Sequence, residues 1–140
     1  MKKIFVNGTF DLLHPAHIKL LNYAKNLGDY LHVAIDTDER VKEKKGKSRP
    51  VFSQEERKFF LMNLKAVDSV SFFSTDHELE EEIKRFSPDI MVVGSDWKGK
   101  PVIGSQFAKE LKFCLYLCLK NIRKNFFSFV GDIALFINNK

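Results

Sequence analysis

Short apolar runs of strand character alternate along the chain with segments of helical spacing. Lys3 to Val6 is a first strand-like run, closed by Asn7 and Gly8, residues suited to a tight exit. Helical spacing follows: Pro15 suits a first helical position because it has no N–H to leave unpartnered, and Gly28 suits the stop. Between them Leu20, Leu21, Ala24 and Leu27 share one face, while Lys19, Asn22, Lys25 and Asn26 are left to water. Residues 30–35, YLHVAI, form a second strand with a polar exit at Asp36–Arg40, and the charged, breaker-rich VKEKKGKSRP of 41–50 reads as a mobile loop. Ser53 followed by Glu56 predicts a capping box opening a helix to about Lys65, with a third strand at 66–73, AVDSVSFF. HELEEEIKRF, 77–86, is the next helix, ending before Pro88, and DIMVVG, 89–94, is a continuous apolar strand of the kind covered on both faces.

This order predicts an α/β fold, a Rossmann-like parallel sheet of about five strands with helices on both faces, binding ligands beyond the carboxyl ends of its strands. Three segments fall at that edge: the turn 7–17, the basic stretch 41–50, and GSDWKGKP at 94–101. A length of 140 residues with 44% hydrophobic content supports one core. The net charge of +5 suits an anionic partner, but 18 acidic residues are interspersed and no long basic tail exists, which favours phosphate-bearing small molecules over nucleic acid. Cys114 and Cys118, four apart in an apolar run, offer neither a disulfide framework nor a complete zinc set. No run reaches membrane-spanning length and the amino terminus is too short in apolar residues for a signal peptide, so the expected compartment is the cytoplasm.

His14 and His17 stand three residues apart where the turn meets the helix, and so on roughly one side of its first turn. A helix amino terminus attracts anions, and imidazoles placed there donate hydrogen bonds to phosphate oxygens. The alternative is one capping and one packing histidine. HPAH lacks the third ligand and the i, i+4 spacing of helical zinc pairs, so no metal set is assigned. Arg57 shares a helical face with Phe60, Leu61 and Leu64, which directs a cation toward the core side; a snorkelling stem is one explanation. After the fourth strand, Gly94 permits a sharp turn, Asp96 offers an acceptor, and Trp97 either covers a ligand or closes the core beneath the loop.

The string GTFDLLHPAH resembles the signature of the HxGH nucleotidyltransferase superfamily, and residues 8–39 are similar throughout to glycerol-3-phosphate cytidylyltransferases. The likeness continues through RPVFSQEER and VVGSDWKGK, covering about residues 1–112, with Ala16 replacing the usual glycine between the histidines. The resemblance implies transfer of CMP from CTP to a small phosphorylated alcohol, glycerol 3-phosphate first among them, with Mg²⁺ and release of pyrophosphate. A sugar phosphate as acceptor and ATP as donor stay open. It implies that His14 and His17 contact the triphosphate, that a lysine of the 44–47 region, most simply Lys44, reaches the phosphates, and that Arg57 acts at the nucleotide. Gly8, Thr9 and Phe10 would line the nucleotide turn, Phe10 chiefly by packing, with Asp96 and Trp97 at the far side. Asp11 either orients the loop or helps hold Mg²⁺. A homodimer is also implied.

The likeness stops before the end of the chain. Members of the family finish on a serine- and threonine-rich motif beside an arginine; here 113–140 read FCLYLCLKNIRKNFFSFVGDIALFINNK, with only Arg123 and Ser128 as loose substitutes. Residues 1–112 are therefore expected to form the nucleotidyltransferase-like domain, and 113–140 an atypical segment packed on it, with FCLYLCL as the fifth strand. A catalytically impaired nucleotide-binding module is the rival expectation.

Overall fold

The computed structural model of the chain describes residues 1–114. Five parallel strands, β1 (Lys3–Gly8), β2 (Tyr30–Asp36), β3 (Ser69–Phe73), β4 (Ile90–Gly94) and β5 (Glu110–Cys114), lie in the order β3-β2-β1-β4-β5. The helices are α1 (Pro15–Asn26), α2 (Asp38–Lys45), α3 (Gln54–Met62) and α4 (Asp76–Phe86).

Alternation along the strands creates two cores. Ile4, Val6, Leu31, Val33, Ile35, Ile90 and Val92 face α1 and α3, meeting Leu21, Ala24 and Leu61. Phe5, Ala34 and Met91 face the other way, meeting Leu79 and Ile83 of α4 and, at the rim, Val102, Ile103 and Phe107. The expected parallel sheet with helices on both faces is therefore present. His32 lies on the α4 side, its Nδ1 2.5 Å from Ser69 Oγ and its Nε2 2.8 Å from Glu82 Oε1, tying that helix to the sheet through a paired polar group.

The 41–50 segment differs from its expected loop form, since residues up to Lys45 continue α2. The physical reason is in the residues themselves. Thr37 caps the helix by accepting from Arg40 N, Asp38 and Glu39 occupy the first turn, and Lys42, Lys44 and Lys45 the last, all as the helix dipole favours. Only Gly46 onward is irregular until Ser53, which accepts from Glu56 N as the capping pattern predicts. α3 ends at Met62 rather than Lys65, and β3 starts at Ser69 rather than Ala66, because Leu64–Val67 make a tight connecting turn. β5 begins at Glu110, three residues ahead of the expected FCLYLCL run, whose part beyond Cys114 lies outside the described residues, as do Cys118, Arg123 and Ser128.

The sheet positions a site by its own register. β1 pairs with β2 along its whole length, to Gly8↔Ile35, but with β4 only at Ile4↔Ile90 and Phe5↔Met91 among the described residues. Chain direction diverges on either side of β1, with β2 to one side and β4 to the other. Such a switch point leaves a crevice at the carboxyl ends, and the turn after Gly8 sits at its mouth.

Candidate anion-binding site at the carboxyl edge

The turn Thr9–His14 carries the chain from β1 into α1. Phe10 adopts φ 50°, a left-handed conformation uncommon for a bulky residue, and its ring is buried in the α1-side core. A Cβ at Gly8 would stand 2.9 Å from Phe10 Cε2, so glycine is what lets the ring fold beneath the strand end. Phe10 is thus a packing wedge, and its ring supports His17 at a centroid distance of 5.2 Å.

The two histidines cap α1 reciprocally. His14 is the N-cap residue, its Nδ1 accepting from Ala16 N at 3.3 Å, while His17 Nδ1 accepts from His14 N at 3.4 Å. Both Nδ1 atoms act as acceptors, so in the neutral rings the proton resides on Nε2. The ring centroids are 4.0 Å apart, and His14 is mostly buried at 7% exposure. Among the four described α-helices, α1 alone has no acidic residue in its first turn, so no side chain of that turn offsets its positive end. Ala16 is buried, so its extra methyl packs within the protein.

Asp11 acts on the neighbouring loop. Its oxygens accept from Val51 N at 2.9 Å and Phe52 N at 3.0 Å, with Arg49 Nη1 at 3.4 Å. These donors already engage the carboxylate that the resemblance offers for Mg²⁺, and no cluster of three metal-ligating side chains occurs among the described residues. Among the described residues Asp11 therefore serves as an anchor for the 49–52 loop.

Arg57 is fully buried. Its Nε donates to Phe52 O at 3.1 Å, Nη1 to Thr9 O at 3.0 Å and Asp36 O at 2.8 Å, and Nη2 to Asp38 Oδ1 at 2.8 Å. The guanidinium thus bolts together the exits of β1 and β2 and the start of α3. It directs its cation toward the core side as the helical spacing indicates, into three backbone carbonyls and the Asp38 carboxylate. Lys44 extends from α2 with a half-exposed side chain, its Nζ 4.0 Å from Asp76 Oδ1. Asp96 and Trp97 form a single 3₁₀ turn after β4, both exposed, Trp97 at 47%. The missing Cβ at Gly94 makes room for the Asp96 carboxylate, whose Oδ1 would lie 2.5 Å from it.

Thus His14, His17, Thr9 and Phe10 are gathered in one turn, with Asp11 and Arg57 bracing it from behind. Lys44 and the Asp96–Trp97 turn stand on separate elements of the same edge. Three residues of this edge were not singled out from sequence: Asp36, Asp38 and Arg40. Their signal was the polar exit DTDER immediately after a buried strand, with Asp36 and Arg40 at i, i+4 spacing. A separate cleft of about 370 Å³, lined by Lys3, His32, Glu82, Arg85 and Phe86, lies on the α4 side toward the amino ends of the strands, remote from this turn.

Residues 5–115 match the family model described as Cytidylyltransferase-like. The bifunctional protein HldE of Sulfurimonas denitrificans is 43% identical over 132 residues, which are 94% of this chain and 28% of that protein. The bifunctional protein HldE of Nitratiruptor is 48% identical over 109 residues, 78% of this chain and 23% of that protein. The chain thus spans about a quarter of the length of these curated relatives, and the first alignment runs past residue 112. Among solved structures, the lipopolysaccharide core biosynthesis protein of Thermoplasma volcanium superimposes with a TM-score of 0.68 at 25% identity, covering 83% of this chain and 98% of that one.

Proposed function

This chain belongs to the cytidylyltransferase-like family, and on that premise we propose that it transfers a nucleotidyl group from a nucleoside triphosphate to a phosphorylated sugar with release of pyrophosphate. The observation that carries the reading is the reciprocal His14–His17 cap on a helix amino terminus with no acidic residue in its first turn, at the mouth of the sheet. The sugar acceptor is favoured over glycerol 3-phosphate by the neighbour named for lipopolysaccharide core biosynthesis, since a saccharide core is assembled from activated sugars. Glycerol 3-phosphate with CTP stands as the second reading, supported by the similarity of residues 8–39.

In the proposed reaction a phosphate oxygen of the acceptor attacks the α-phosphorus, the new O–P bond forms, and the bridging bond to pyrophosphate breaks. The nucleophile is already anionic near neutral pH, so the protein's task is positioning and neutralising charge. The Nε2–H groups of His14 and His17 and the amide end of α1 supply donors to the α-phosphate and the leaving group. Lys44 adds a mobile cation from α2, and Trp97 with Asp96 covers the nucleotide or acceptor. Arg57 serves as a positioning residue, holding Thr9 and Asp38 in register. Mg²⁺ would accompany the triphosphate and offset its charge. Function as a cytoplasmic homodimer completes the reading, with sedimentation velocity as its check.

The test is pyrophosphate release with ATP and with CTP across a panel of sugar phosphates and glycerol 3-phosphate. Turnover on a sugar phosphate supports the proposal, and the better donor sets the base. Turnover on glycerol 3-phosphate alone replaces the acceptor, and triphosphate binding without turnover leaves a nucleotide-binding module.

A further inference from the structure

Behind the nucleotide turn lies a charged chain that the proposed chemistry does not use. Thr9 Oγ1 donates to Asp36 Oδ2 at 2.7 Å. The other oxygen of that carboxylate accepts from Arg40 Nε at 2.8 Å. Arg40 continues outward, donating through Nη2 to Asp76 Oδ1 at 2.5 Å and through Nη1 to Ser74 O at 3.3 Å. Its guanidinium lies 5.0 Å from the Phe73 ring centroid. The Asp36 and Arg40 side chains are 14% and 8% exposed, so this pair is largely withdrawn from water, where each partner depends on the other.

We propose that Asp36, held by Arg40, is a positioning residue that fixes the Thr9 hydroxyl and the helix α2 relative to the triphosphate site. The inference rests on the proposed nucleotidyl transfer. Two features of the contact set direct this assignment. A threonine hydroxyl has one proton; with that proton given to Asp36, Thr9 Oγ1 presents only lone pairs, in one orientation, and so accepts from a sugar hydroxyl or base amino group of the nucleotide rather than donating to its phosphates. Arg40 stands one helical turn ahead of Lys44, and both reach Asp76, so the bond from Asp36 to Arg40 sets where α2 and its phosphate-directed lysine stand. Arg57 clamps the same strand ends, but through the carbonyls of Thr9 and Asp36, whereas Asp36 clamps the hydroxyl. The two residues are therefore separable by substitution.

Asp36 bonds the Thr9 hydroxyl and Arg40, so loss of its charge acts first on ground-state binding. For Asp36→Asn the expected result is a Kd and a KM for the triphosphate raised about tenfold, the size of one charge-assisted hydrogen bond, with kcat within about threefold of wild type. The experiment is calorimetric titration of ATP and CTP into wild type, Asp36→Asn, Thr9→Val and the double variant, with kcat and KM on the better donor and circular dichroism to check folding. If Asp36 acts through Thr9, the double variant is no weaker than Asp36→Asn alone; fully additive losses overturn the inference. Arg40→Gln, which leaves Thr9 and Asp36 intact, is expected to reproduce the weaker binding, and unchanged affinity in both Asp36→Asn and Arg40→Gln also overturns it. Wild type that binds triphosphate without turnover sinks the transfer reaction alone, because the clasp is read on binding. Wild type that neither binds nor turns over sinks both.

Discussion

His14 combines two roles at one residue: its Nδ1 receives the Ala16 N–H, and its ring stands 4.0 Å from that of His17. Asparagine is among the strongest N-cap residues but lacks the second ring donor, so His14→Asn separates capping from chemistry. We expect its unfolding free energy to stay within about 0.5 kcal/mol of wild type while turnover falls on the order of 10²–10³-fold, as when one preorganised donor to developing charge is removed. Urea unfolding beside steady-state kinetics checks both, and turnover retained within tenfold would show that the ring donor is not used. Arg57 is the opposite case, with every contact a structural one. Arg57→Met strands the carbonyls of Thr9, Asp36 and Phe52 and the Asp38 carboxylate, and should cost about 3–5 kcal/mol in urea unfolding. A cost below about 1 kcal/mol would mean that water satisfies those groups.

At the scale of the element, the strand–helix alternation was legible because each strand carries an apolar run and each helix a stripe or a cap, as in Ser53 with Glu56. α2 escaped because DERVKEKK buries only Arg40 and Val41, leaving no apolar period to read; its evidence is charge order along the dipole, a weaker signal that a loop also mimics. The histidine pair was legible from its place on either side of Pro15, whereas the destination of Arg57 was not, since helical spacing gives a direction but no acceptor. The Asp36–Arg40 pair likewise depends on where two strand ends meet. α1 offers a prediction of its own. The alanine between the histidines adds a methyl, but Ala16 is 3% exposed, so that carbon contributes to packing and does not crowd a ligand. Ala16→Gly should lower stability by about 1 kcal/mol, the helical cost of glycine, and leave the KM for triphosphate within about twofold. A KM lowered tenfold would place the methyl in the ligand's path.

For the molecule as a whole, carboxylates at the starts of strands and helices, with Glu82 inside α4, join elements distant in sequence, and acid should release them together. Asp89, held by the Lys109 ammonium and the Lys3 N–H, has its pKa pulled down to about 2 and ties β4 to β1 and to the residue before β5. Asp76 is lowered by its bond from Arg40, against a smaller opposing effect of burial. Burial pushes Asp68 and Glu82 upward, but the bonds from Lys25 and Leu31 N–H outweigh it at the first, and those from His32 and Ser71 at the second, leaving both below their ordinary values. A group whose folded pKa lies below its unfolded one binds protons more weakly when folded, so its stabilisation is complete above the unfolded pKa and is lost as pH falls toward the folded one. The urea midpoint should therefore be insensitive to these groups above about pH 5 and decline between about pH 4.5 and 2. Asp89→Asn removes the group whose window reaches lowest, so its acid limb should be shallower than that of wild type below about pH 4. Midpoints measured at half-unit intervals from pH 2.5 to 7 decide the matter: curves that run parallel over the acid range would mean that Asp89 titrates alike in the folded and unfolded chain.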